Sequence, residues 1–112
     1  MSEGRLQNII HDVMKDLKKI LGNDFVSAIL YGSYARGDYD HESDIDFAIL
    51  LNCDRMGAKK YTEALAELMV DINLKYDVLV SFCCIPIDEF NSKKDVLPYY
   101  RNIATEGVKV IA

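Results

Sequence analysis

The chain has 112 residues, half of them hydrophobic and 28% charged, with 13 Lys and Arg against 18 Asp and Glu for a formal net charge of −5. That length and balance exclude a disordered chain and predict one folded domain over residues 1–112. The net acidity argues against direct nucleic-acid binding through a basic groove, which needs clustered positive charge.

The first element predicted is a helix over 5–21. Leu6, Ile9, Ile10, Val13, Met14, Leu17, Ile20 and Leu21 recur at three- and four-residue steps, and Gly22 is placed to stop it in a left-handed turn. His11 falls on this helix and reads as a surface residue. Residues 25–31, FVSAILY, form a run of strand formers ended by Gly32. Residues 33–43, SYARGDYDHES, are polar and read as a loop or short helical turn. A second strand is predicted over 44–51, where Ile45, Phe47 and Ile49 alternate with Asp44, Asp46 and Ala48. A helix follows over 57–74, with Tyr61, Leu65, Leu68, Met69 and Ile72 on one stripe and Asp54 or Asn52 as its cap. Residues 76–85, YDVLVSFCCI, read as a third strand closed by Pro86. A single turn is expected at Asp88–Asn91. A last helix would be capped by Asp95, carry Pro98 in its first turn and run through Glu106. Gly107 would stop it before an edge strand at 108–111. The fold class is α/β (α+β), a small mixed sheet of three to four strands packed by helices.

No apolar run approaches the roughly 18 residues of a membrane-spanning helix. The N-terminus MSEGRLQNIIHDVMKDLKK is charged throughout and lacks a signal-peptide core. A cytoplasmic protein with no membrane partner is expected. The odd set of cysteines, Cys53, Cys83 and Cys84, fits neither a disulfide framework nor a zinc spacing. Lys18-Lys19, Lys59-Lys60 and Lys93-Lys94 are separate pairs and read as solvated faces.

Three features carry chemistry. Gly32-Ser33 follows a strand directly. Glycine lets the backbone approach a ligand, and serine offers a hydroxyl and an N–H suited to phosphate oxygens; an isolated Gly-Ser pair is otherwise a turn. Asp44-x-Asp46 places two carboxylates on one face of a strand. Such a pair repels unless a cation or proton intervenes, and two carboxylates plus substrate phosphates suit magnesium. A solvated face or an ion pair with Arg36 or a lysine is the alternative. Asp77, at the start of the third strand, reads either as a strand-end residue whose carboxylate reaches solvent or caps a turn, or as a third carboxylate completing a metal cluster. His41, beside the loop, reads as a bystander.

In this order and spacing the residues resemble the DNA polymerase β-like nucleotidyltransferase superfamily. The run GSYARGDYDHESDIDFAIL is similar to its minimal nucleotidyltransferase group, matching at Gly32, Ser33, Ala35, Arg36, Gly37, Ser43, Asp44, Ile45 and Asp46. The resemblance implies the polymerase β-like core. It implies that Gly32 and Ser33 hold the triphosphate of ATP and that Asp44 and Asp46 bind two magnesium ions. Asp77 matches the family's third carboxylate, a metal ligand that also helps deprotonate the attacking hydroxyl. Arg36 would neutralise the leaving pyrophosphate or pin the loop through Asp38 or Asp40, and Ser43 would cap the turn or orient Asp44. Tyr31, Tyr34 and Tyr39 flank this site, as packing residues or as a base-stacking surface.

The resemblance further implies an antitoxin of a toxin–antitoxin pair. It would transfer AMP from ATP to a tyrosine of a HEPN toxin partner, in a hetero-oligomer, with a homodimer left open. Two other readings stay open: a non-catalytic nucleotide-binding module that neutralises its partner by contact, and a small-molecule nucleotidyltransferase that needs a second subunit.

Overall fold

The structure is a computed structural model that describes residues 3–31 and 44–110. Helix α1 spans Glu3–Leu21. Its apolar stripe is what the three- and four-residue spacing requires: Leu6, Ile9, Val13, Met14, Leu17 and Leu21 are buried, while His11 is exposed. The helix gives way to a tight turn at Gly22–Asp24, where Gly22 takes φ +55, open to glycine at no steric cost. Strand β1 follows at Phe25–Tyr31 and β2 at Ile45–Leu51. The expected loop at 33–43 lies outside the described residues.

The helix expected at 57–74 is broken into two. A short helix α2 covers Arg55–Ala58, a tighter turn covers Lys59–Tyr61, and α3 runs over Thr62–Tyr76. Asp54 is the cap, accepting from the Gly57 N–H at 2.7 Å. Leu65, Leu68 and Ile72 of the predicted stripe are buried.

Strand β3 is Val80–Pro86, so the expectation that it begins at Tyr76 is corrected. Helix α3 continues to Tyr76 and closes on Asp77 in the left-handed region, φ 54, ψ 53. Asn73 secures this end. Its carbonyl accepts from the N–H groups of Asp77 and Val78, and its side-chain Oδ1 accepts from the Val80 N–H at 2.7 Å. The helix end therefore consumes residues whose apolar character reads as strand. Helix α4 spans Ile87–Lys93 and α5 spans Pro98–Glu106. No side chain caps α5. Asp95, expected in that role, instead offers its backbone carbonyl to Arg101 at 2.6 Å. Gly107 lies where a Cβ would come within 2.3 Å of Ile29 Cγ2 and 2.4 Å of the Ile103 carbonyl oxygen, and β4, Val108–Val110, follows it.

The sheet is four-stranded and mixed, ordered β3-β2-β1-β4. β1 pairs antiparallel with β2 and β4, and β2 pairs parallel with β3. Both faces are covered, as alternation along a buried strand demands. On one face Ile45, Phe47, Ile49 and Leu51 pack with α1 and α3. On the other Ile29, Ala48, Leu50 and Ile85 pack with Phe90, Tyr100 and Ile103 of α4 and α5. A polar tie joins α2 to that second layer: Arg55 donates to Glu89 at 2.9 Å and to the Tyr100 hydroxyl at 3.0 Å. No helix among the described residues is long and apolar enough to cross a membrane.

Candidate active site

The sheet brings the C-terminal end of β1 and the N-terminal ends of β2 and β3 to one edge. Asp44 immediately precedes β2 and is exposed. The next residue starts the ladder to β3, with the Ile45 N–H donating to the Leu79 carbonyl at 2.8 Å. Asp46 is the one residue of β2 that is not buried. Ile45 and Phe47 on either side of it are fully buried and anchor the backbone. Asp46 takes the face opposite Ile45 and Phe47, and the same alternation carried one residue before the strand puts Asp44 on that face.

Asp46 is flanked in register by Tyr31 on β1 and Ser81 on β3. The Ser81 hydroxyl donates to Asp46 Oδ1 at 2.5 Å. Ser81 was not among the residues the sequence singles out. One hydroxyl in the run VLVSFCCI gives no signal until the β2–β3 register is known.

Arg36, a named ion-pair partner for the two carboxylates, lies outside the described residues. Lys60 pairs with Asp24, Lys75 with Asp12, and Arg55 and Lys93 with Glu89. Asp77, expected on the third strand, is instead an exposed residue of the turn that ends α3. Among the described residues no three or more His, Cys, Asp or Glu side chains come close enough to hold a metal ion. Asp44 and Asp46 thus lie two residues apart at the start of β2, and Asp77 lies in the turn that ends α3. Gly32, Ser33, Arg36, Gly37, His41, Ser43, Tyr34 and Tyr39 lie outside the described residues.

The donor set suits a divalent cation shared with phosphate oxygens. Magnesium takes one or two carboxylates, keeps several waters and completes its shell from substrate phosphates. Two carboxylates on one exposed strand end supply that share without an all-protein cage.

Two other features carry different chemistry. A cavity of about 460 Å³ lies on the opposite face of β3 from Ser81, lined by Arg55, Lys59, Leu65, Met69, Phe82 and Cys84; it holds no carboxylate. Burial pushes the Cys84 thiol up to about 11, which keeps it protonated and unreactive near neutrality. All three cysteines are free thiols of intermediate burial.

Residues 11–111 match the nucleotidyltransferase domain family. Two proteins of Methanocaldococcus jannaschii, named for an inferred protein adenylyltransferase activity, are similar in sequence. One is 42% identical over 73 residues, which are 65% of this chain and 72% of the relative. The other is 32% identical over 101 residues, 90% and 93% of the two chains. Among solved structures, a toxin–antitoxin complex with AMP-PNP contains a chain similar in fold, with TM-score 0.52 and 19% identity over 89% of this chain and 70% of that one. So does the complex of a tri-AMPylated Shewanella oneidensis HEPN toxin with its MNT antitoxin, with TM-score 0.54 and 19% identity over 92% and 69%. The family match over nearly the whole chain, with the paired carboxylates held at the end of the sheet, shows that this chain belongs to the nucleotidyltransferase domain family.

Proposed function

We propose that this nucleotidyltransferase moves AMP from ATP to a hydroxyl of a partner protein, a tyrosine of a HEPN-class toxin, and so acts as its antitoxin. The observation that carries the reading is the Asp44–Asp46 pair on one face of β2, preceded by the Gly32-Ser33 and Arg36 motif. The names of the archaeal relatives and the AMPylated toxin in the similar complex support the choice of nucleotide and acceptor.

In the reaction the acceptor oxygen attacks the α-phosphorus of ATP. The bond from that phosphorus to the bridging oxygen of the β-phosphate breaks, pyrophosphate leaves with the electron pair, and the hydroxyl proton is released to solvent. Asp44 and Asp46 would hold magnesium. When bound, the cation neutralises phosphate charge and makes the acceptor hydroxyl easier to ionise. The chain's own residues do the positioning. Buried Ile45 and Phe47 fix the strand, so the two carboxylates meet the nucleotide without a reorganisation cost. Gly32 and Ser33 would receive the triphosphate, and Arg36 would neutralise the departing pyrophosphate. Asp77 has no part in this set.

The test is to incubate the protein with the product of its neighbouring gene, ATP and magnesium, and to record that partner's intact mass. Added AMP units, absent with Asp44→Asn, are expected. An unmodified partner that still co-elutes with the protein would replace this reading with neutralisation by contact.

A further inference from the structure

Ser81 is the second residue of β3, and Asp46 is the second residue of β2. The two strands run parallel with Ile45 opposite Val80, Asp46 opposite Ser81 and Phe47 opposite Phe82. Ile45, Phe47 and Val80 are buried, so both backbones are held. The Ser81 Oγ to Asp46 Oδ1 distance of 2.5 Å belongs to the short, charge-assisted class of hydroxyl–carboxylate bonds. Serine has a single hydroxyl proton, and here it is committed to Asp46. That bond occupies one lone pair of Oδ1 and leaves Oδ2 unused by it.

We propose that Ser81 is a positioning residue for Asp46. Its hydroxyl fixes the carboxylate so that the remaining lone pairs meet the divalent cation, as hydrogen bonds behind metal ligands commonly do. This rests on the reading that Asp44 and Asp46 bind that cation. It assigns the contact from β3 to a neutral hydroxyl, in place of the third carboxylate that the sequence led us to expect at the start of that strand. The neutral partner orients Asp46 without adding charge.

The test compares Ser81→Thr with Ser81→Val. Both are β-branched strand formers of nearly equal shape, and only threonine keeps the hydroxyl. Mn²⁺ binding to the full chain in the presence of a non-hydrolysable ATP analogue is measured by electron paramagnetic resonance, with Asp46→Asn as the control. Thermal melts are recorded alongside. Ser81→Thr is expected to bind Mn²⁺ like the wild type, and Ser81→Val about tenfold more weakly at an unchanged or higher melting temperature. A purely structural role for Ser81 would move the melt and not the affinity.

Equal affinity in the threonine and valine variants, with binding lost in Asp46→Asn, would overturn the role of Ser81 and leave the carboxylate pair standing. No Mn²⁺ binding by the wild type would overturn both. Should Ser81→Val fail to fold, Ser81→Ala takes its place against Ser81→Thr with the same criteria.

Discussion

Asp77 separates two accounts of this site sharply. In the structure it closes α3 at φ 54, ψ 53 and is exposed. An L-residue in the left-handed region costs about 1–2 kcal/mol, with Asp and Asn at the low end. Glycine removes that cost but loses about 0.4–1 kcal/mol of unfolded-chain entropy on folding. Asp77→Gly should therefore stabilise by about 0.5 kcal/mol, a rise of about 2 °C in Tm for a chain this size. Asp77→Val, β-branched in the same conformation, should destabilise by about 1 kcal/mol, a fall of about 4 °C. Thermal melts by circular dichroism measure both. Transfer of AMP to the partner is measured at a temperature where both variants are folded, and neither should lose more than about twofold. A hundredfold loss in the stable Asp77→Gly variant would refute the reasoning, because it would put Asp77 in contact with the reacting groups.

Three further outcomes follow from packing and charge. Phe47 is fully buried between β2 and the two helices α1 and α3, so Phe47→Ala should cost about 3–5 kcal/mol in urea denaturation; less than 1 kcal/mol would contradict the assigned core. Gly107→Ala sets a Cβ 2.3 Å from Ile29 Cγ2 and 2.4 Å from a backbone carbonyl, and overpacking there should destabilise by about 2 kcal/mol or more. In acid, Asp12 is held below its ordinary value of 3.8 by the hydrogen bond from Lys75 and then that from Tyr76. Asp24 is held below the same value first by the Tyr61 hydroxyl, and Glu89 below its ordinary 4.5 first by Arg55. These carboxyls bind protons more weakly folded than unfolded. The stability they contribute is complete above the ordinary carboxyl range and fades as pH falls through about 4 and below. Denaturation midpoints should drop over that window, and Asp12→Asn should flatten the slope; an unchanged slope would count against the Lys75–Asp12–Tyr76 cluster.

Much of the fold could be read in the sequence wherever side-chain period was the deciding signal. The stripe from Leu6 to Leu21 belongs to one helix face, FVSAILY and IDFAILL belong to buried strands, and Gly22 takes the left-handed turn assigned to it. The misreadings fall where short-range polar contacts override period. In LKYDVLVSF the apolar run crosses from helix to strand without a break. What ends the helix is Asn73, bonded by backbone and side chain to the residues after it, and Asp77, one of the few side chains that tolerates positive φ. The Tyr76 hydroxyl donates to Asp12 on α1, which ties that residue into the helical layer. The break between Arg55–Ala58 and Thr62–Tyr76 is likewise invisible in the apolar stripe that spans it.

The candidate site divides in the same way. The position of Asp44 and Asp46 at the start of the second strand was legible from the alternation with Ile45 and Phe47. The contact from Ser81 depends on the register between β2 and β3, a long-range property that no local pattern encodes. Asp77 reads as a strand residue because the apolar run around it continues into β3, whereas the structure places it in the turn that ends α3.

If the Asp44–Asp46 pair carries nucleotidyl transfer, removing one of its charges abolishes incorporation of AMP. The most direct measurement is the rate at which label from α-phosphate-labelled ATP enters the partner protein, for wild type and for Asp46→Asn matched in Tm. Steady transfer by the wild type is expected, with a loss of about a thousandfold in the variant, the equivalent of about 4 kcal/mol of charge stabilisation. Label incorporated at equal rates by both proteins would contradict that role.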